Sequence, residues 1–237
     1  MRKLAVGGAT LAVVLVAAAA ALAATTWPTV KLTPTVSSTK AGTKKHPKGV
    51  KLTSLITWQK LGAAKQPVVT SFQLWFPKGS LYRGGKYPSC SRSKIAGGPS
   101  RCPSGSIMGS GSGTAYASTT KTHPKITVVN GGRKIIWFYT VLNNPARVRE
   151  PVKGSLTSLK GKYAYKLNVN VPKTLQIVAG TPIELTLLKV TAGGKGIWLS
   201  TTGCPNGKWP FKIKTSYKNP NNGKTGSASF SSSVRCT

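Results

Sequence analysis

Polar and apolar residues alternate with a period of two in several parts of the chain. In residues 208–218, the alternate positions from Trp209 to Tyr217 are aromatic, Ile or Thr, and four of the six other positions are Lys. Residues 162–171 alternate in the same way between Tyr, Leu or Val and residues that are mostly Lys or Asn. This period is typical of a β-strand that buries one face and leaves the other in solvent. Each stretch therefore predicts a strand with one apolar face and one basic or polar face.

A hairpin is predicted where residues 126–129 and 134–142 flank the Asn-Gly-Gly sequence at 130–132. Asn-Gly pairs adopt the positive φ angles that tight hairpin turns need. Residues 135–139 of the second arm are all apolar or aromatic, which predicts burial on both faces.

Short strands account for most of the remaining pattern. Further strand candidates are 29–36, 50–58, 68–76, 113–118, 183–190 and 197–200. A helical period extends no further than one or two turns near 172–176. Many short strands separated by Gly and Pro indicate an all-β fold, and we expect an antiparallel β-sandwich, immunoglobulin-like or related.

Three loop segments interrupt the strands. Residues 78–113 are rich in Gly, Ser and Pro and contain two cysteines, so we expect a long loop insertion that a disulfide staples. Residues 39–51 are predicted to form a basic loop, and 143–162 a connection with some strand at its end. A single β domain over 24–237 is expected, and two smaller β domains that divide near 119–125 are the alternative.

The N-terminus resembles an export signal. Met1, Arg2 and Lys3 precede an apolar run from Leu4 to Ala20, followed by the small-x-small pattern that a signal peptidase recognises. Residues 1–23 are therefore predicted to be a signal peptide, which implies a secreted protein that can associate with the cell surface. An uncleaved N-terminal anchor is the competing interpretation, since about 20 apolar residues can span a bilayer.

Cys90, Cys102, Cys204 and Cys236 form an even set, as expected of disulfides in an oxidising compartment. Four cysteines allow three connectivities. We favour Cys90–Cys102 with Cys204–Cys236, because residues 208–218 and 224–235 flank the turn sequence Pro-Asn-Asn-Gly at 220–223. A hairpin folded about that turn brings Cys204 close to Cys236, so the second disulfide would close its open end.

Several motifs resemble those of secreted, disulfide-containing, β-rich proteins of unassigned function from high-GC Gram-positive bacteria. They are Ser71-Phe72-Gln73-Leu74-Trp75-Phe76-Pro77-Lys78-Gly79, Cys90, Cys102-Pro103-Ser104-Gly105-Ser106, Gly109-Ser110-Gly111, Thr201-Thr202-Gly203-Cys204-Pro205, Trp209-Pro210-Phe211 and Cys236. The resemblance covers residue 68 to the end and implies export, disulfides and a β-rich fold. The N-terminal part, with Ala41-Gly42-Thr43 before residues 50–58, is similar to bacterial immunoglobulin-like modules.

Acidic residues are scarce. The chain has 35 Lys and Arg residues, only two acids, Glu150 and Glu184, and a formal charge of +33. About 25% of the residues in an average globular protein are charged, with both signs represented. The deficit argues against a two-carboxylate glycosidase, a calcium loop and an Asp-oriented catalytic triad.

Candidate catalytic residues are few. His46 and His123 are predicted to be exposed turn residues, and Glu184 an outward strand residue paired with a lysine. Glu150 follows two arginines, which suits an ion pair. Neither G-x-S-x-G nor G-x-G-x-x-G occurs. We therefore expect no enzyme activity and no catalytic, cofactor-binding or metal-binding residues; a hydrolase with an unrecognised site that includes His123 and Glu184 is the catalytic alternative.

The remaining feature is the positive charge, which falls to +31 without Arg2 and Lys3 and is spread along the chain. Lysines outnumber arginines 27 to 8, and Lys acts as a hydrated point charge, whereas Arg makes planar bidentate contacts. We expect adsorption to anionic cell-surface polymers or membrane without recognition of sequence. The candidate polyanion-binding residues are Lys44, Lys45, Lys48, Lys212, Lys214 and Lys218.

Two alternatives remain open for the charge. A sequence-independent extracellular nucleic-acid binder would share the dependence on salt. A structural protein adapted to an acidic medium would lose little by lacking carboxylates, which are protonated there, and would stay soluble through its positive charge.

Overall fold

Antiparallel strands make up most of the structure, a computed structural model that describes residues 27–61, 67–194 and 198–237; the predicted signal peptide lies outside these residues. The strands are β1 Val30–Ser37, β2 Lys48–Gly49, β3 Lys51–Trp58, β4 Val68–Pro77, β5 Ser80–Tyr82, β6 Ile107–Ala117, β7 Thr120–Thr122, β8 Lys125–Asn130, β9 Ile135–Leu142, β10 Val148–Ser158, β11 Tyr163–Asn170, β12 Ile177–Val178, β13 Thr181–Gly193, β14 Leu199–Thr201, β15 Lys208–Lys218 and β16 Thr225–Arg235. The α-helices are α1 Arg92–Ala96 and α2 Lys173–Gln176.

One large sheet contains thirteen strands and curves into a near-closed, barrel-like layer. Its main order is β1-β3-β13-β6-β8-β9-β10-β11-β4-β15-β16, with β7 beside β6 and β12 beside β13. Strands from both sides of residues 119–125 are neighbours, because β6 pairs with β13 and β4 pairs with β11 and β15. Alternate side chains point inward and form the main core, as the predicted period of two requires.

Small elements lie beside the two ends of β4. β2, β14 and β5 form a separate three-stranded sheet next to the C-terminal end of β4. α2 lies near the N-terminal end of β4, where Val171 N–H donates to the Thr70 carbonyl at 2.9 Å. Leu175 of α2 packs against the main core. The small sheet and α2 therefore lie near opposite ends of β4.

The barrel-like sheet closes between β1 and β16, which lie side by side but are not neighbours in the hydrogen-bonded strand order. The Trp27 ring packs on Gly226 and stacks on Tyr217, with the ring centroids of Trp27 and Tyr217 6.2 Å apart. Thr237 N–H donates to the Thr39 carbonyl at 3.0 Å. Side-chain packing and this backbone contact hold the seam.

The segment between β5 and β6 packs on the outer face of β8 and β9. It carries the Cys90–Cys102 disulfide, and Ile95 of α1 is fully buried against Trp137. The Trp137 indole N–H donates to the Cys90 carbonyl at 3.0 Å. Because the interior covers its other face, β9 is buried on both sides, which confirms that prediction.

The all-β, antiparallel character of the fold and both disulfide pairings are confirmed. The hairpin of β15 and β16 has Lys208 opposite Arg235, and the Cys204–Cys236 disulfide closes its open end as predicted. An immunoglobulin-like sandwich is not confirmed, since most strands form one near-closed sheet.

Two predicted loop segments have wrong boundaries. The connection expected at 143–162 contains the eleven-residue strand β10, which pairs with β9 and β11 along its length. The insertion expected at 78–113 is shorter, because β5 and the first half of β6 lie within it. The start of β6 was not predicted because it is rich in glycine, which is unfavourable in strands. A Cβ at Gly111 would lie 2.7 Å from the Lys189 carbonyl oxygen of β13, so only Gly permits this close approach of the two strands.

Candidate polyanion-binding cleft

A row of cationic and aromatic side chains crosses the outer face of the sheet. Lys166 of β11, Trp75 of β4 and Lys212 of β15 occupy one level of the strand register, with Ser231 of β16 next in line. The ammonium nitrogens of Lys166 and Lys212 lie 5.9 Å and 5.2 Å from the Trp75 ring centroid. Contacts of this length are cation–π interactions, so Trp75 holds a lysine on each side.

A cleft of about 800 Å³ opens at the end of this row. Its walls combine three exposed lysines with hydroxyl and aromatic groups, and it shares Ser231 with the row. The lining includes Lys78, Lys162, Lys208, Tyr163, Ser231 and Ser232. The Ser232 hydroxyl is buried and has no hydrogen-bond partner within the described ranges. We call this site the lysine cleft.

Four adjacent strands position the lysine cleft, because β11, β4, β15 and β16 are successive neighbours. Lys78 follows β4, and its N–H donates to the Lys162 carbonyl before β11 at 3.0 Å. Asn206 and Gly207, with φ angles of 55° and 66°, turn the chain just before Lys208. Cys236 N–H donates to the Gly207 carbonyl at 3.1 Å, so the adjacent disulfide fixes this wall.

The charged side chains of the lysine cleft and the row are all lysines, and their spacing is regular. Successive strands lie about 4.8 Å apart, so the backbones carrying Lys166 and Lys212 are about 10 Å apart across β4. Lys212 and Lys214 are about 7 Å apart along β15. These spacings suit an extended polymer with repeated negative charges, since several lysines can meet successive charges on one rigid surface.

The structure divides the predicted polyanion-binding residues into two groups. Lys212, Lys214 and Lys218 lie on β15, where Lys212 joins the row and Lys218 lies at the other end of the strand. The remaining residues lie apart from β15: Lys44 and Lys45 in the exposed β1–β2 loop, and Lys48 half-buried in β2 of the small sheet. The second group does not line the lysine cleft.

Glu184 contradicts the prediction of an outward strand residue. Its side chain is only 2% exposed, and Oε1 accepts a hydrogen bond from the Leu61 N–H at 2.8 Å. The pattern around Glu184 misleads because the register of β13 shifts between Leu185 and Leu187, which changes the face that each residue occupies. Glu150 accepts a hydrogen bond from the Thr174 hydroxyl at 3.0 Å. With Glu184 in the core, Glu150 is the only acidic side chain left at the surface.

The predicted catalytic alternative and possible metal ligands can be compared with the described part of the chain. His46 and His123 are exposed, as predicted. His123 and the buried Glu184 occupy different environments, so the geometry gives no support to their action as a pair. Among the described residues, no three His, Cys, Asp or Glu side chains group around a metal-sized site. Residues 27–61, 67–194 and 198–237 also contain no helix long and apolar enough to cross a membrane.

Sequence reasoning missed Lys78, Lys162, Lys208 and the role of Trp75. The alternation in 162–171 places Lys166 on a polar face, but it does not reveal which strands are neighbours. β4, β11 and β15 meet only through long-range pairing. The lysines of the cleft therefore come together only through the order of the strands in the folded sheet.

No family model, curated protein or solved structure matches the chain.

Proposed function

We propose that the protein is exported and adsorbs to anionic cell-surface polymers or membrane through the lysine cleft and the adjoining row. The observation that carries this proposal is the convergence of Lys78, Lys162 and Lys208 in one concave site that continues into Lys212 and Lys166. A polymer with regularly repeated phosphates or carboxylates is the favoured partner. Binding is non-catalytic and independent of sequence, because lysine ammonium groups contact anions as point charges.

The near absence of acids at the surface supports the same function. Intramolecular ion pairs would compete with an external polyanion for each ammonium group, and Glu150 is the only acidic side chain outside the core. The lysines of the cleft and row are therefore available to an external anion. A strongly one-signed surface also speeds encounter with a polyanion at low salt.

The test compares two triple variants with the same change in net charge. The cleft variant carries Lys162→Gln, Lys208→Gln and Lys212→Gln. The control variant replaces three exposed lysines of other strands, Lys31→Gln, Lys125→Gln and Lys189→Gln. Association with poly(glycerol phosphate) and with phosphatidylglycerol vesicles is measured from about 50 to 200 mM salt, a range over which polyanion affinities fall steeply.

The cleft variant is expected to reduce the slope of log K against log salt by about 2, since each lost contact with a single-stranded polyanion removes about 0.7. The control variant is expected to change the slope by less than half as much. Equal slopes for both variants would show that a diffuse field, and no dedicated cleft, binds the polymer. Retention of the wild-type protein on either surface at about 1 M salt would refute electrostatic adsorption altogether, because charges are screened within about 3 Å there.

Nucleic acid is the second candidate, and Trp75 is the observation in its favour. A ring between two lysines can stack with a base while the ammonium groups contact the flanking phosphates. Trp75→Ala should weaken binding of oligodeoxythymidine about tenfold if bases stack there. It should weaken poly(glycerol phosphate) binding much less, because that polymer loses only the positioning of Lys166 and Lys212 by the ring. An equal effect on both polymers would favour the cell-surface polymer, because stacking would then contribute nothing.

A further inference from the structure

The interior of the barrel-like sheet contains a cavity of about 210 Å³. Side chains from ten of the eleven strands in its main order line it, and most of them are aliphatic or aromatic. Natural protein interiors are packed at crystal-like density and have few voids larger than a water molecule. An engineered apolar cavity of about 150 Å³ stays dry and binds benzene. The interior is thus large enough for a small apolar guest.

The chemistry of the walls limits the guest to an uncharged molecule. No Lys, Arg, Asp, Glu or His side chain lines the cavity within the described residues. Burial raises the pKa of the Tyr82 hydroxyl well above its ordinary value, so that group also stays neutral. A charged group in such a site would lose its hydration without compensation.

Most polar groups at the small-sheet end of the cavity already have partners. The Tyr82 hydroxyl donates to Asn130 Oδ1 at 2.7 Å, and the Thr201 hydroxyl accepts from the Gly42 N–H at 3.4 Å. Ser200 of β14 is different. Its side chain is 2% exposed, it lines the cavity, and its hydroxyl has no partner in the described part of the chain.

A buried hydroxyl without a partner is costly, and such groups in native proteins call for an explanation. The position of Ser200 supplies one, because it lies where the apolar cavity meets the small sheet of β2, β14 and β5. A guest with one polar end would satisfy the hydroxyl and place its apolar part among the barrel side chains.

We infer that the cavity binds a neutral single-chain amphiphile, with its alkyl chain in the interior and its alcohol, amide or ester head group hydrogen-bonded to Ser200. The cavity volume corresponds to about seven groups of water size, at about 30 Å³ each. An alkyl chain of about seven or eight carbons therefore fills it. This site is separate from the lysine cleft, and a neutral guest makes no demand on the surface charge.

Calorimetric titration with linear 1-alkanols from four to twelve carbons tests the chain length. Affinity is expected to increase with each carbon up to about eight and to stop increasing beyond that length. Failure of 1-octanol to bind would overturn the proposal, and a steady increase in affinity to twelve carbons would refute a cavity of this volume.

Variants then test the location and the head group. Ser200→Ala should weaken 1-octanol binding about fivefold, the effect of one lost hydrogen bond, and leave n-octane binding unchanged. Ser232→Ala is the matched control, because it removes another buried unpartnered hydroxyl that lies outside the cavity. Ala192→Leu fills the cavity and should weaken both ligands at least tenfold. Unchanged octanol affinity in Ser200→Ala would overturn the head-group assignment, and unchanged affinity in Ala192→Leu would overturn the location.

Discussion

The sign of a stability change can distinguish an empty interior from a packed one. Ala192 on β13 lines the cavity, whereas Ala117 on β6 is 4% exposed within a packed apolar cluster and does not line it. Replacing either residue by Leu adds three carbon atoms. We predict that Ala192→Leu stabilises the ligand-free protein and that Ala117→Leu destabilises it.

The magnitudes follow from the two environments. Three buried methylene equivalents contribute up to about 2.4 kcal/mol, and ordering a leucine side chain costs about 0.5 to 1 kcal/mol. Ala192→Leu should therefore raise the free energy of unfolding by about 1.5 kcal/mol, which raises Tm by about 3 to 6 °C in a chain of this size. Ala117→Leu overpacks a filled cluster and should lower the free energy of unfolding by about 1 to 3 kcal/mol.

Urea denaturation with the disulfides intact measures both effects as shifts in the midpoint at constant m-value. If Ala192→Leu lowers stability as much as Ala117→Leu does, the interior is already filled at that position, and the cavity is too small to admit a ligand.

Three further predictions concern stability. Replacing Cys204 and Cys236 by Ser should lower the free energy of unfolding by about 3.7 kcal/mol, the chain-entropy value for the observed separation of 32 residues; no measurable loss in urea denaturation would contradict this. Gly111→Ala should cost about 1 to 3 kcal/mol, because its methyl group would meet the β13 backbone, and a neutral result would show that β6 can move away. Burial raises the pKa of Tyr82 and of Tyr217 above the ordinary value of 10.0. Above about pH 10 the unfolded chain therefore binds fewer protons than the folded protein does. The free energy of unfolding should then fall by up to about 2.7 kcal/mol per pH unit. Tyr217→Phe should halve this change of the free energy of unfolding with pH, as measured by urea denaturation at alkaline pH. An unchanged pH dependence would show that ionisation of Tyr217 does not contribute to it.

Local patterns predicted the strands whose burial alternates and whose turns are short. β15 and β16 have the expected limits and register, because alternation and the turn sequence act over neighbouring residues. β10 escaped prediction because Pro151 and Gly154 are unfavourable in isolated strands. Pairing with β9 and β11 on both sides compensates for that local preference.

The candidate site was less accessible to sequence reasoning than the fold. Lys212 and Lys214 were identified from alternation on a single strand, and the structure places Lys212 beside Trp75. Lys78, Lys162 and Lys208 lie in or beside connections that are distant along the chain. Their convergence depends on the order of β11, β4 and β15, which no local pattern contains.

The seam between β1 and β16 has a consequence for the order of folding. The two strands that meet there are the first and the last described strands of the chain, so the barrel-like sheet closes only after β16 has formed. Until then, the edge of β15 that pairs with β16 exposes backbone groups that can pair with another molecule. Oxidation of Cys204 with Cys236 beside Thr237 secures the last strand at the same end where it meets Thr39. The Cys204–Cys236 disulfide thus anchors the strand on which closure of the sheet depends.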